Sequence, residues 1–292
     1  MLKRTVKSLS TILVIILSVA LFCSFSAGCV EPDKRVILIS IDGLRADVIE
    51  NTEYGRYLMQ NHAYSLEATT VTPSVTLPCH TSMFYSVTPN EHGIIANTYT
   101  PSENLGDGII ERLSKNNKTS AMFYNWYEIS YLDKDSVADV NTFISGYDEG
   151  WEEANASLGE LCKEHILSTP TDFTFLYLGF LDEWGHRYGW LSDEYYYALN
   201  QSFSVIKTVI DEAVKMDYTI IITTDHGGHD YTHGTTMAED MTIPLFVIGD
   251  GFSAPGGSDL GKRSILDVAP TVLDILDVKA PSYLQGSAIS IS

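Results

Sequence analysis

Four short apolar runs constrain the fold of this 292-residue chain more than any other feature of its sequence. Each run is apolar on both faces, contains β-branched residues and is followed by polar residues at its carboxyl end. Runs of this kind are typical of buried strands in a parallel sheet. The runs cover residues 36–41, 173–181, 218–222 and 243–248.

Segments with helical character lie between and after these runs. Strands that alternate with helices predict an α/β domain with helices on both faces of the sheet, a three-layer α/β/α sandwich with a mostly parallel central sheet. In such sheets, ligands bind beyond the carboxyl ends of the strands, where Asp42, Asp182 and Asp225 lie. The predicted helices are residues 52–60, 105–115, 151–167, 192–215 and 264–276.

The charge balance excludes several classes of protein. The chain has 18 Lys and Arg against 38 Asp and Glu, a formal charge of −20, and 45% of its residues are hydrophobic. That much apolar surface excludes a disordered chain. The excess of acid repels nucleic-acid phosphates and anionic lipid, so we expect no nonspecific nucleic-acid binding.

The N-terminus has the layout of a targeting signal. Three basic residues precede an uncharged apolar stretch at residues 12–25, which is short for a membrane span. The residues up to Cys29, Ser26-Ala27-Gly28-Cys29, resemble the lipobox of prokaryotic lipoproteins, in which the cysteine is lipidated. Ordinary cleavage near Ala27 and an uncleaved anchor are the alternatives. All three predict an extracytoplasmic protein, secreted or tethered to the membrane through its N-terminus.

This reading divides the chain into three parts. We expect a signal at residues 1–28, a short linker at 29–34 and one large domain at 35–292, with no internal repeat. Beyond the signal and Cys29, only Cys79 and Cys162 remain as a candidate disulfide. One pair is too few for a disulfide scaffold, so the hydrophobic core must supply the stability.

Two segments after the apolar runs carry acid and histidine together. Residues 225–234 contain three histidines and two aspartates among glycines, and such groups cannot be buried without partners. A metal site is the simplest explanation, and a solvated polar loop is the alternative. Asp182 and His186 are four residues apart, so on a helix both face one side and can meet at one ion. A capping aspartate beside an incidental histidine is the alternative there.

A threonine segment completes the candidate chemistry. Thr76 lies two residues before Pro78 and opens a run compatible with a helix. The N-terminus of a helix favours an anion, so a phosphoryl group can rest there. A threonine hydroxyl becomes a good nucleophile when a metal ion lowers its pKa. Without metal ligands elsewhere, a capping threonine would be the preferred interpretation.

Together, these segments resemble the alkaline phosphatase superfamily, and most closely its nucleotide pyrophosphatase/phosphodiesterase branch. The resemblance extends from about residue 36 to residue 287, and it is the order of the segments that makes it specific. Short spacings between Thr76 and Asp182 and after His233 imply a minimal core without a large cap domain. The matching segments are Asp42-Gly43, Thr76-Leu77-Pro78, residues 89–94 with Asn97, Asp182 with His186, Asp225-His226-Gly227, His233-Gly234, residues 267–271 and Leu284-Gln285-Gly286.

The resemblance implies two divalent metal ions, usually zinc, with manganese as the alternative. His229 is the alternative to His233, which is preferred because Gly234 follows it as in the family pattern. The implied ligand sets are Asp182, His186 and His233 for one ion, and Asp42, Thr76, Asp225 and His226 for the other.

The resemblance also implies an activity. Thr76 would attack phosphorus in an in-line displacement, and water would then release the phosphothreonine. The implied substrate is a small phosphoric ester, with diesters preferred to monoesters, and the implied substrate contacts are Leu77, Cys79 and Asn97. Cys79 stands where nucleotide-handling members commonly carry an asparagine, so either backbone N–H groups suffice or the substrate differs.

Other activities on the same core remain alternatives. These are a phosphomonoesterase, a phosphonate hydrolase and a phosphoethanolamine-type transferase. A surface binding protein that has lost catalysis is the alternative outside enzymology. Aromatic residues such as Trp126 and Trp184 are expected to pack in the core, and stacking on a base or sugar of the substrate is the alternative.

Overall fold

The apolar runs lie side by side in one sheet. The computed structural model describes residues 34–250, 252 and 256–290. Its strands are β1 (Arg35–Ile41), β2 (Ala63–Thr69), β3 (Ser120–Tyr124), β4 (Val140–Phe143), β5 (Phe173–Leu178), β6 (Tyr218–Thr223), β7 (Thr242–Ile248) and β8 (Ser258–Asp259). The strand order is β4-β3-β5-β1-β6-β7-β2-β8. β1 is paired in parallel with β5 on one side and β6 on the other.

Helices follow most strands and cover the sheet. Thr52 begins the first helix by accepting a hydrogen bond from the N–H of Gly55, and Ser192 begins the longest by accepting one from Tyr195. The helices are α1 (Glu53–Asn61), α2 (Thr76–Tyr85), α3 (Pro89–His92), α4 (Ile109–Ser114), α5 (Gly146–Glu149), α6 (Trp151–Ser168), α7 (Phe180–Tyr188), α8 (Asp193–Ala213), α9 (Ala238–Met241) and α10 (Val268–Ile275). Short 3-10 segments span Ala46–Asn51, Tyr127–Leu132, Val214–Met216 and Ile265–Asp267.

Alternate residues of β1 enter two separate cores. Val36 and Leu38 pack into one core with residues of α2, α4 and α10. Ile37 and Ile39 pack into the other with residues of α6, α7 and α8. Because successive side chains of a strand face opposite sides of a sheet, these cores lie on its two faces. The predicted three-layer α/β/α sandwich is confirmed, and the described residues contain no large cap domain.

The structure corrects the sequence analysis in three places. The run at 243–248 does form β7, but β7 is antiparallel to both β6 and β2, so Asp250 follows it at the opposite edge of the sheet. The run at 173–181 stops being a strand at Leu178, and α7 begins at Phe180. Four strands, β2, β3, β4 and β8, were missed. β2 and β4 lack a continuous apolar run, β8 has only two residues, and the apolar run of β3 is confined to residues 121–124.

The cysteine expectation is also corrected. Cys79 and Cys162 are both buried and free. Cys79 lies in the core on one face of the sheet and Cys162 in the core on the other, so the sheet separates the two sulfurs.

The N-terminal predictions lie outside the described residues. These are the signal at 1–28, Cys29 and most of the linker, so those boundaries stay predictions. Lys34–Ser292 form one compact unit. Among the described helices, none has both the length and the apolar character needed to cross a membrane.

Candidate active site

The predicted site residues meet at the carboxyl ends of the three central strands. Asp42 directly follows β1, and Asp225 follows β6 by two residues. Asp182 lies in the first turn of α7, which begins just after β5. Since β5, β1 and β6 are neighbours in parallel, their carboxyl ends bring these three aspartates to one edge of the sheet.

Three residues form a partly exposed set, called here the outer group: Asp182, His186 and His233. Each offers one ligand atom, and these atoms lie within 4.8 Å of one another. Helical spacing places Asp182 and His186 on one side of α7, with His186 Nε2 3.4 Å from Asp182 Oδ2. His233 Nε2 lies 3.1 Å from His186 Nε2 and 3.8 Å from Asp182 Oδ1. This is the predicted ligand set of one ion.

Three buried residues form a second set, called here the inner group: Asp42, Asp225 and His226. His226 Nε2 lies 3.1 Å from Asp225 Oδ2 and 3.5 Å from Asp42 Oδ1. The rings of His226 and His233 stack with centroids 3.6 Å apart, so the two groups adjoin. The structure therefore brings together the residues predicted for two neighbouring ions.

Backbone carbonyls fix which nitrogen each histidine presents. Nδ1 of His233 lies 2.8 Å from the carbonyl oxygen of Ser74, and Nδ1 of His186 lies 3.0 Å from that of Tyr231. Nδ1 of His226 lies 2.8 Å from the carbonyl oxygen of Gly227. Because a carbonyl only accepts, each Nδ1 carries the proton and each Nε2 keeps a lone pair toward the carboxylates. Burial also lowers the pKa of His226 and of His233, which favours neutral rings.

The carboxylates show that this chemistry fits divalent cations. Asp42 Oδ1, Asp182 Oδ1 and Asp225 Oδ2 are buried and accept no hydrogen bond from any described residue. Burial, followed by the charge of Asp182, raises the pKa of Asp42 to about 7. Burial raises the pKa of Asp182 to about 6 and that of Asp225 well above its ordinary value. Three neighbouring carboxylates, each with a buried oxygen that has no partner, are unfavourable unless positive charge joins them.

Thr76 lies beside the inner group. It is the first residue of α2, the helix N-terminus at which the sequence placed it, and it is 5% exposed. Its Oγ1 is 3.3 Å from His226 Nε2. The hydroxyl therefore lies next to the ligand atoms of one predicted ion and faces the same cleft as the outer group.

The structure separates the two candidate histidines of the glycine-rich loop. His233 joins the outer group, whereas His229 Nδ1 lies 2.7 Å from Oδ1 of buried Asp240. The other oxygen of Asp240 accepts hydrogen bonds from the N–H and the hydroxyl of Thr235. His229 and Asp240 thus hold the loop that carries His233.

The three predicted substrate contacts have different surroundings. Asn97 lines the cleft, and its Oδ1 accepts the N–H of Leu77 at 2.9 Å. Leu77 itself is buried. Cys79 is fully buried, and its thiol faces the carbonyl oxygens of Pro73 and Val71. The structure places the Cys79 side chain in the core and not in the cleft, because α2 turns this position inward.

Comparison with known proteins decides the family. Residues 36–242 match the family described as type I phosphodiesterase / nucleotide pyrophosphatase. The chain belongs to this family. The segment that matches contains both ligand groups and Thr76, as the resemblance of the sequence predicted.

More distant relatives share part of the chain. A 2,3-bisphosphoglycerate-independent phosphoglycerate mutase of Shewanella sediminis is 25% identical over 232 residues, which cover 70% of this chain and 44% of that protein. The Synechocystis mutase is 31% identical over 108 residues, 31% of this chain and 20% of that protein. The chain thus spans less than half the length of these relatives.

Solved structures show the same fold. Murine ectonucleotide pyrophosphatase/phosphodiesterase 5 superposes with a TM-score of 0.71 at 14% identity, covering 87% of this chain and 98% of that one. A phosphonate monoester hydrolase of Silicibacter pomeroyi superposes with a TM-score of 0.65 at 16% identity, covering 88% and 76%. The fold of these structures therefore extends over most of the chain.

Sequence analysis missed two residues that hydrogen-bond to the ligand Asp42 and to the backbone of Thr76. Tyr177 of β5 donates its hydroxyl hydrogen bond to Asp42 Oδ2, which leaves Oδ1 for the inner group. His80, one turn after Thr76, has Nδ1 2.9 Å from the carbonyl oxygen of Thr76 and Nε2 2.9 Å from Ser40 Oγ. No sequence motif marks Tyr177, which is one residue of a buried strand. His80 lies four residues after Thr76, and this helical spacing is the one signal that could have identified it.

Removing the Tyr177 hydroxyl is expected to weaken metal binding. In Tyr177→Phe, Asp42 keeps its charge but loses the donor that orients it, and such changes typically lower metal affinity or activity about 10- to 100-fold. Competition with a chromogenic zinc chelator measures the affinity. Tyr85→Phe is the matched control, because the Tyr85 hydroxyl bonds to Glu111 and Leu132 away from the site. Equal affinities in the two variants would contradict the role of Tyr177.

The raised pKa of Asp42 predicts a pH-dependent effect of Asp42→Asn in metal-free protein. Asp42 is protonated in the folded state up to about pH 7 but ionised in the unfolded state above about pH 4. The folded state therefore binds more protons, and the carboxyl lowers stability progressively as pH rises through that window. We expect the variant to match the parent near pH 4 and to be more stable by roughly 2 to 4 kcal/mol at pH 8.

Denaturant unfolding of chelator-treated protein at the two pH values measures this difference. Zinc-loaded protein is the control, in which the same substitution is expected to be destabilising because it removes a ligand. A stability difference that stays constant between pH 4 and pH 8 would contradict the assignment.

Proposed function

We propose that the protein is a metal-dependent phosphodiesterase with Thr76 as its nucleophile. This proposal rests on the two adjoining groups, which contain three histidines and three carboxylate oxygens without a partner. The Thr76 hydroxyl contacts His226 of the inner group. Membership of the type I phosphodiesterase family supports the reaction class. Murine ectonucleotide pyrophosphatase/phosphodiesterase 5, which shares the fold, is known in complex with AMP in an inactive variant.

The two groups are suited to two divalent cations, with zinc as the expected metal and manganese as the alternative. The inner group with Thr76 would hold one ion, and the outer group the other. Bound there, the cations supply Lewis acidity that lowers the pKa of a neighbouring hydroxyl and offsets negative charge on phosphoryl oxygens. Imidazole and carboxylate ligands without thiolate agree with zinc or manganese.

The chain's own groups then carry out a displacement in two steps. Thr76 Oγ1 gives its proton to solvent and bonds to phosphorus as the bond from phosphorus to the leaving oxygen breaks, and the leaving oxygen takes up a proton. Water then loses a proton as it bonds to the same phosphorus, and the Thr76 oxygen leaves and regains a proton. Near the N-terminus of α2, the positive end of the helix dipole favours the phosphoryl charge.

Asn97 is suited to contact the substrate. Its Oδ1 is occupied by the N–H of Leu77, so the amide orientation is set. The Nδ2 donor is the part of this side chain left for a phosphoryl oxygen in the cleft that Asn97 lines. Buried Cys79 takes no part in this contact.

The proposal includes the location of the enzyme and the type of its substrate. The basic and apolar N-terminus supports an extracytoplasmic enzyme, tethered through its N-terminal segment or secreted. The formal charge of −20 supports small phosphoric esters rather than nucleic acid as substrates.

Four matched p-nitrophenyl esters test the reaction class. They are the phosphate, the thymidine 5′-monophosphate diester, the phenylphosphonate and the sulfate, offered to purified zinc-loaded protein. We expect turnover of the thymidine diester well above the phosphate and the sulfate, and its loss with chelator. Turnover of the phosphate alone would contradict a diesterase. No turnover despite bound zinc would contradict hydrolysis and favour transfer or a binding function.

A further inference from the structure

The cleft beside Thr76 has an aromatic and acidic wall that the reaction does not use. The cleft has a volume of about 170 Å³. Thr76 and Asn97 line it together with Asp42 of the inner group and all three residues of the outer group. Trp126, Tyr147, Trp151 and Glu183, called here the wall, line the same cleft. A substrate with its phosphorus at Thr76 can therefore place a substituent against the wall.

The aromatic wall is held in place by a buried asparagine. Asn125, which follows β3, accepts the N–H of Gly146 on its backbone carbonyl and the N–H of Gly179 on Oδ1. Its Nδ2 donates to Asn155 Oδ1 at 2.7 Å. These bonds join the segment before Trp126 to the start of α5 and to the residue before α7. The aromatic residues and Glu183 are thus carried by segments that share one rigid centre.

The rings themselves are packed against each other. Trp151 lies against Gly179 so closely that a Cβ there would be 2.6 Å from its ring. Tyr147 meets Trp151 edge to face, with centroids 5.0 Å apart, and is 72% exposed. The Tyr147 ring is therefore oriented by packing yet open to a ligand.

The charge of this wall is negative and lacks a basic partner. No lysine or arginine is among the described residues that line the cleft. Glu183 forms no ion pair with a described residue. Partial burial raises the pKa of Tyr147, and the charges of Glu183 and Glu128 add to this rise.

We propose, on the basis of the proposed function, that the cleft selects phosphoric esters with an alkylammonium cation on one ester substituent. The cation would rest against Trp126 and Tyr147 and beside Glu183. Aromatic faces together with a carboxylate attract quaternary and primary ammonium groups. In this arrangement Glu183 is a specificity-determining residue and takes no part in bond breaking.

The same charge distribution disfavours polyanionic substrates. No described lysine or arginine lines the cleft, so the charge of Glu183 is offset there only when the substrate brings a cation. A further phosphate in this part of the cleft would lie near the carboxylate and be repelled.

A matched pair of diesters isolates the cation. One is p-nitrophenyl phosphocholine, and the other is p-nitrophenyl 3,3-dimethylbutyl phosphate, in which carbon replaces the ammonium nitrogen. The zinc-loaded protein is expected to show a kcat/KM for the choline ester at least about tenfold above that for the neutral ester. A ratio near one, with both esters cleaved, would overturn this inference and leave the proposed function standing. Cleavage of neither ester by protein that does cleave the thymidine diester would also overturn this inference, whereas failure to cleave all three diesters would contradict the proposed function itself.

Variants of the wall then locate the preference. Glu183→Gln is expected to lower the ratio of the two kcat/KM values about tenfold, mainly through KM for the choline ester. Glu164→Gln removes one charge from the exposed side of α6 and is expected to keep the ratio. Tyr147→Phe keeps the aromatic face and the ratio, whereas Tyr147→Leu lowers it about threefold.

A structural role of Glu183 gives a different result. An acidic residue in the first turn of α7 also stabilises the helix. If that were its only role, Glu183→Gln would lower the melting temperature and leave the ratio of the two esters unchanged. That result would overturn the proposal.

Discussion

Replacing Thr76 by alanine is expected to lower kcat for diester hydrolysis by at least about 10³-fold, because the attacking oxygen is lost. The residue is 5% exposed and its hydroxyl makes one hydrogen bond among the described residues, to His226, so the fold is expected to persist. Metal content is expected to stay the same, since the aspartate and histidine ligands are unchanged. Kinetics with the thymidine diester, together with zinc analysis of the same sample, measure both.

Thr76→Ser is the matched control for this variant. It keeps an oxygen in the same place and is expected to retain a substantial part of the activity. Full activity of Thr76→Ala with unchanged metal content would contradict a covalent mechanism through this residue.

Replacing each of the two loop histidines by alanine in turn is expected to give the second large effect. His233→Ala removes a member of the outer group and is expected to lower activity at least about 10²-fold, with loss of zinc from that group. His229→Ala removes only the partner of Asp240, which keeps its hydrogen bonds from Thr235. We expect that variant to lose no more than about tenfold.

Zinc stoichiometry and diester kinetics of the two variants distinguish the roles. A greater loss of zinc in His229→Ala than in His233→Ala would show that His229 is the ligand and that the loop is arranged differently. Comparable small losses in both would argue against the outer group as a metal site.

Continuous apolar runs predicted the centre of the sheet but not its edges. β1, β5 and β6 are buried on both faces, so burial itself produces the pattern that identifies them. β2 alternates between buried and more exposed residues, and β4 is only half-buried. Nothing in the 243–248 run shows its direction, because burial on both faces is the same for a parallel and an antiparallel strand.

The sequence predicted which residues form the site, but only part of their arrangement in space. The resemblance identified the residues of both ligand groups, because these residues occur in the same order and with similar spacing as in the family pattern. The choice between His229 and His233 depends on Asp240, which is seven residues beyond His233 and carries no motif. Trp151, Tyr147 and Glu183 line one cleft although they lie on different helices, and the hydrogen bonds of Asn125 to Gly146 and Gly179 join two of those helices. Local sequence does not encode contacts of this kind.

Zinc titration of chelator-treated protein tests the central claim most directly. Hydrolysis of the p-nitrophenyl ester of thymidine 5′-monophosphate is followed while zinc is added and bound zinc is measured. The account predicts no turnover without metal and a rise that saturates at about two bound ions per chain, as a two-metal site requires. Full turnover by protein that holds no metal would contradict it.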